Sequence, residues 1–209
     1  MTWFEALELF GTAVFAISGA FTAARKDMDI MGVLLLAFLV GNGGGTLRGL
    51  LLGQPIFWVH AHSYIWVSFI AGVLAIIWAR YFLTPYRLLL IADAIGLSVF
   101  VVTGAQRALN LGYGDLIAVL MGVLTAVGGG LLRDLICNEV PLVLRREIYA
   151  TAAAAGAIFF VIFQHHFTKP ELEISTIIIV FCIRLAAIQF KWTLPAFSEQ
   201  WFYDVRQKK

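Results

Sequence analysis

Gly43-Gly44-Gly45-Thr46-Leu47-Arg48 returns 85 residues later as Gly128-Gly129-Gly130-Leu131-Leu132-Arg133. The register extends upstream. Gly11, Val14, Phe15, Gly19, Ala20 and Ala23 correspond to Gly96, Val99, Phe100, Gly104, Ala105 and Ala108. Each copy spans three apolar segments, so two copies inserted in series must cross a bilayer in opposite directions. That is the inverted-repeat plan of membrane proteins that move solutes.

Apolar runs fall at 7–24, 30–53, 65–83, 88–109, 116–137, 148–167 and 174–190. A helix needs about 20 mostly apolar residues to cross the hydrocarbon core. The chain is 61% hydrophobic and 13% charged, with mean hydropathy +0.88. A soluble domain is about half apolar and a quarter charged. The sequence therefore predicts an all-α integral membrane protein with seven transmembrane helices. Residues 1–209 form a single transmembrane domain, leaving no room for a soluble one. It comprises inverted three-helix repeats at about 5–85 and 88–168, a seventh helix at about 172–190, and a tail over 191–209.

Charge distribution orients the chain. If odd-numbered segments run outside to inside, the inner side holds Arg25, Lys26, Arg80, Arg87, Arg133, Arg145, Arg146, Lys191, Arg206, Lys208 and Lys209. The outer side holds Arg48, Arg107 and Lys169, while Arg184 lies within the seventh segment. The positive-inside rule then puts the N-terminus outside and the C-terminus in the cytoplasm, in the inner (plasma) membrane. Met1-Thr2-Trp3-Phe4-Glu5 lacks the basic start of a cleaved signal peptide. Cys137 and Cys182 lie in apolar runs and read as buried small residues.

The triplets are the most informative chemistry. Each glycine costs about 1 kcal/mol of helix propensity relative to alanine. Three together predict a bend or break in the second and fifth segments. A break would free carbonyls for a cation and a half-helix N-terminus for an anion; the alternative is close helix packing. Gly11, Phe15, Gly19 and Ala23 form a stripe, repeated by Gly96, Phe100, Gly104 and Ala108, that reads as a packing face.

The polar residues obey the same shift. Arg48 matches Arg133, Ser18 matches Thr103, and Glu8 matches Asp93. Asn42 and Thr46 flank the first triplet, and Asp134 follows Arg133. Charges inside a membrane usually face a cavity or a partner. The candidate path is therefore Gly43, Gly44, Gly45, Gly128, Gly129, Gly130, Arg48, Arg133, Asp93, Asp134, Ser18, Thr103, Asn42 and Thr46. Snorkelling toward headgroups is the other reading of both arginines. Glu8 is expected at the interface, with Asp93 deeper. Arg184 is expected to pair with Asp134 or Glu147. Arg145 and Arg146 set topology and are candidates to face lipid headgroups. His60, His62, His165 and His166 lack metal-ligand spacing. Hydrolase, metalloprotease and nucleotide-binding motifs are missing, so neither enzyme, cofactor, metal nor nucleic-acid partner is expected.

Phe15-Ala16-Ile17-Ser18-Gly19-Ala20, both triplet motifs and Arg145-Arg146-Glu147-Ile148-Tyr149-Ala150-Thr151 resemble the bacterial branch of the trimeric intracellular cation (TRIC) channel family. Related bacterial proteins are described as glycine transporters. The resemblance spans about 7–189. It implies a homotrimer with a pore inside each protomer, lined by the first, second, fourth and fifth helices and kinked at the triplets. It also implies permeation by potassium or other monovalent cations. The first repeat reads Leu47-Arg48-Gly49 and the second Leu132-Arg133-Asp134, so the halves need not act equivalently. A carrier for glycine or another small amino acid is the alternative.

Overall fold

The computed structural model describes residues 2–81 and 86–195. Its helices are α1 (Trp3–Arg25), α2 (Ile30–Leu51), α3 (Phe57–His60), α4 (Ser63–Tyr81), α5 (Tyr86–Asn110), α6 (Asp115–Ile136), α7 (Ala150–Phe163) and α8 (Lys169–Phe190). Among the described residues, α1, α2, α5 and α6 are long and apolar enough to cross a membrane. Shorter apolar lengths lie at Ser63–Ala79 in α4 and Ala150–Phe163 in α7. The chain is a multi-pass, all-helical membrane protein. Of the orienting basic residues, Arg206, Lys208 and Lys209 lie outside the described residues, as does the Arg80 side chain.

Local chemistry starts the helices. Thr2 and Glu5 form a reciprocal capping box on α1, which satisfies two otherwise orphaned donors. Asp29 accepts the Gly32 N–H at 2.7 Å and opens α2. Glu171 accepts the Thr168 N–H at 3.1 Å, and Pro170 sits in the first turn of α8. The centre is formed by α1, α2, α5 and α6, with α4 against α1 and α2, and α7 and α8 against α5.

The predicted breaks at the glycine triplets do not occur. Both α2 and α6 remain helical through 43–45 and 128–130. The triplets instead let the two backbones cross. A Cβ on Gly44 would stand 2.0 Å from the Thr125 carbonyl oxygen, and one on Gly129 would stand 2.4 Å from that of Val40. Gly128 itself meets the Gly44 backbone, a Cβ there falling 3.0 Å from Gly44 Cα. The close approach offsets the helix-propensity cost of glycine, so the chain has no need to break.

These contacts repeat with the register of the sequence. Gly44 to Thr125 becomes Gly129 to Val40 under the 85-residue shift. Gly11 receives Phe100 as Gly96 receives Phe15, and Gly19 faces Leu36 as Gly104 faces Met121. The two phenylalanines stack on each other with centroids 5.2 Å apart. The glycine stripes are therefore packing faces, as read from the sequence. Cys137 is buried as expected, whereas Cys182 is exposed. A membrane helix presents such apolar groups to lipid, so the apolar run around Cys182 did not require burial.

Candidate functional site

Two buried clusters are built from equivalent residues. In the first, Glu8 of α1 accepts from Arg48 Nη2 of α2 at 2.8 Å. Tyr64 of α4 donates its hydroxyl to the other Glu8 oxygen at 3.0 Å. Arg48 Nη1 also reaches the Thr103 carbonyl oxygen of α5 at 3.4 Å. In the second, Arg133 Nη1 of α6 lies 2.5 Å from Asp93 Oδ1 of α5 and 2.6 Å from Ser18 Oγ of α1. Arg133 Nε adds Asp134 at 2.9 Å. The other Asp134 oxygen accepts the Leu142 N–H at 2.8 Å.

The shift that relates the triplets also relates these partners. Glu8 maps to Asp93, Arg48 to Arg133 and Ser18 to Thr103. Each arginine binds a carboxylate of its own half and reaches a polar group of the other half. Tyr64 maps to Tyr149, whose hydroxyl converges with Asp93 on Gly130: a Cβ there would lie 2.8 Å from Tyr149 Oη and 3.3 Å from Asp93 Oδ1. Neither tyrosine stands out in the sequence by itself, although the same register would have found both.

Burial decides between the two readings of the arginines. Arg48 is 5% exposed and Arg133 1%, so neither snorkels. The expectation of Glu8 at the interface is corrected: it is buried and paired. A charge so near the chain start looks superficial, but α1 begins at Trp3, which carries Glu8 past the first turn.

Asn42 and Thr46 join neither cluster. Asn42 donates to Ser68 Oγ of α4 at 2.7 Å. Thr46 donates to the Asn42 carbonyl oxygen at 2.8 Å and accepts from Trp58 Nε1 at 2.9 Å. Ser18 reaches Arg133 through its hydroxyl, whereas Thr103 reaches Arg48 through its carbonyl. Arg184 pairs with Glu147 rather than Asp134, at 3.6 Å.

A cavity adjoins each cluster, at opposite ends of α1. One, of about 480 Å³, is lined by Glu5, Glu8, Tyr64 and Arg107 among others. The other, of about 120 Å³, has Arg25, Lys26, Arg133 and Arg145 facing Asp134 and Glu139. Lys26 Nζ holds Glu139 at 2.9 Å and Arg145 Nη2 adds a contact at 3.4 Å. The Lys26 hydrogen bond, with Arg145 assisting, holds the Glu139 carboxyl below the ordinary carboxylate range. Arg145 also donates to the Tyr86 hydroxyl at 3.2 Å. It thus forms part of the cavity wall, with its side chain 32% exposed. Arg146 is exposed, and its carbonyl oxygen accepts the Leu194 N–H at 2.8 Å.

The sequence profile of a family described as "Glycine transporter" matches residues 5–80 and again 90–165. This chain belongs to that family. Its relatives in the family include the UPF0126 inner membrane protein YadS of Escherichia coli, 42% identical over 92% of this chain and 95% of YadS. A UPF0126 membrane protein of Vibrio cholerae is 41% identical over 92% of this chain and 82% of its own length. Among solved structures, the TRIC trimeric intracellular cation channel orthologue from Rhodobacter sphaeroides is 42% identical, with TM-score 0.88, covering 92% of this chain and all of that one. A second, described as a TRIC cation channel, is 37% identical with TM-score 0.84, over 94% and 98% of the two chains. The chain is therefore TRIC-like in sequence and in fold.

Proposed function

We propose that this protein is a monovalent cation channel, permeable to potassium, with one pore inside each protomer of a homotrimer. The observation that carries this is the pair of arginine–carboxylate–tyrosine clusters, one beside each of two cavities at opposite ends of α1. Charges buried in a membrane protein mark ion and substrate pathways. Here each positive charge has a carboxylate beside it, which removes much of the barrier that a bare arginine sets against cations. The likeness to proteins described as cation channels supports the same reading.

The pore would be lined by Arg48, Arg133, Asp93, Asp134 and Ser18, joined by Glu8, Tyr64 and Tyr149. The glycines at 43–45 and 128–130 set its waist. We assign the chain seven membrane helices, as two inverted three-helix repeats plus α8, in the inner membrane with the N-terminus outside. The double match of one family profile and the repeated contacts support this arrangement.

Glycine transport is the second reading. The family description favours it, and a guanidinium beside a carboxylate suits both ends of a zwitterion. The deciding experiment records potassium currents and glycine uptake from the same proteoliposomes. Unitary potassium currents without glycine accumulation are expected. Glycine accumulation with no potassium current would overturn the channel.

A further inference from the structure

Arg184 is a fully buried cation that neither cluster uses. Its Nη1 donates to the Ile148 carbonyl oxygen at 2.7 Å, and its guanidinium carbon lies 4.9 Å from the Tyr149 ring centroid. Nη2 stands 3.6 Å from Glu147 Oε2, beyond hydrogen-bond reach. Nε has no hydrogen-bond partner among the described residues. A guanidinium carries five N–H donors, and burying them unmatched is costly.

Arg184 forms part of the wall of a cavity of about 290 Å³, with Leu90, Glu147, Lys191, Trp192 and Thr193. The chain after α8 is folded to build this wall. Lys191 closes α8 in the left-handed conformation, with φ 52°. Thr193 forms a β-bridge with Glu147, and the Leu194 N–H reaches the Arg146 carbonyl oxygen at 2.8 Å. Two cations face one carboxylate, so the cavity carries one net positive charge. Trp192 is 49% exposed, as an interfacial ring would be. Ile188 also lines a second, mainly apolar cavity of about 320 Å³ with Ile91, Leu185 and Ala186, whose polar wall is Arg87 and Gln189.

We propose that this pair of cavities binds an anionic phospholipid through its phosphodiester. Arg184 and Lys191 hold the phosphate, and an acyl chain follows the apolar cavity past Ile188. One phosphodiester balances the single net positive charge of the Arg184 cavity, and Arg87 in the wall of the second cavity adds a further cation. The planar fork of arginine suits phosphate oxygens, and lysine adds a point charge. The site meets the second cluster only where Arg184 lies on the Tyr149 ring, and it does not depend on whether the protein is a channel or a carrier.

The test is native mass spectrometry of delipidated, detergent-purified protein titrated with phosphatidylglycerol. Saturable binding of one lipid per chain is expected. Lys191→Gln should weaken it about tenfold, the loss of one charge-assisted phosphate contact. Lys191 is exposed beyond the helix, so this variant stays informative if Arg184→Lys fails to fold. Lys169→Gln, at the other end of α8, should bind as wild type does. Unchanged binding by Lys191→Gln overturns the site. Equal affinity for phosphatidylethanolamine overturns the charge argument. Complete displacement by millimolar inorganic phosphate makes the ligand a free anion and overturns the lipid.

Discussion

Arg48 and Arg133 occupy equivalent positions but hold unequal partners. Arg133 binds two carboxylates, Asp93 and Asp134, whereas Arg48 binds one carboxylate, Glu8. Removing one partner of a buried pair costs about 3–5 kcal/mol, because the other charge is left without compensation. Arg133→Gln strands two such charges. Arg48→Gln strands one, which keeps the Tyr64 hydroxyl bond. Thermal unfolding in detergent is therefore expected to show a larger loss for Arg133→Gln, with Asp93→Asn added to it restoring part of the deficit. Equal losses for both arginine variants would refute the inequality. Glu139 supplies a pH prediction. Its folded-state pKa lies below the ordinary 4.5, through Lys26 first and Arg145 second. A depressed carboxylate pKa stabilises the fold above the unfolded value, and that contribution disappears as pH falls through the folded value. Wild type should thus melt above Glu139→Gln near neutral pH, with the gap closing below about pH 4.5. A gap that widens on acidification contradicts the Lys26–Glu139–Arg145 contact.

At the scale of elements, the decisive feature is the crossing of α2 and α6. An alanine at Gly44 or Gly129 would put Cβ into a carbonyl oxygen of the facing backbone, at 2.0 and 2.4 Å. No side chain can rotate away from that contact, so the helices must part. Overpacking of this kind costs about 1–3 kcal/mol. Gly49 lies on the same helix, but its nearest neighbour would be an ordinary 3.6 Å from the new Cβ. There alanine gains up to about 1 kcal/mol of helix propensity. Melting temperatures should fall for Gly44→Ala and Gly129→Ala and hold or rise for Gly49→Ala; a uniform response would reassign the triplets. The 85-residue register made this crossing legible in part. It marked which glycines correspond, because equivalent packing sites need equivalent small residues. It did not tell a broken helix from a close crossing, since both demand glycine and only the facing backbone separates them. Arg48, Arg133, Asp93 and Ser18 could be read from the same register. Tyr64 and Tyr149 escape notice because tyrosine is ordinary near membrane segment ends, and Asn42 and Thr46 are drawn in by proximity along the chain rather than in space.

Across the whole molecule, the two cavities differ in sign. Glu5 and Glu8 outnumber Arg107 in the larger one, while Arg25, Lys26, Arg133 and Arg145 outnumber Asp134 and Glu139 in the smaller. The larger cavity concentrates cations and the smaller repels them. In a channel, potassium should enter more readily from the larger end, which the proposed topology puts outside. Current through a single orientation of the protein should therefore rectify, favouring movement from outside to inside by several-fold at low salt. Screening gives the diagnostic: the Debye length is about 30 Å at 0.01 M salt and about 3 Å at 1 M. The asymmetry should fade across that range. Arg25 tests the cause cleanly, because its guanidinium lies over the Tyr86 ring at 4.7 Å and takes no part in the Glu139 contact. Arg25→Gln should reduce rectification and raise potassium entry from the smaller cavity, with little change in stability. Rectification that persists at 1 M salt, or is unaffected by Arg25→Gln, would assign the asymmetry to pore geometry instead of charge. Rectification of the opposite sign would mean that the cavities do not set cation entry.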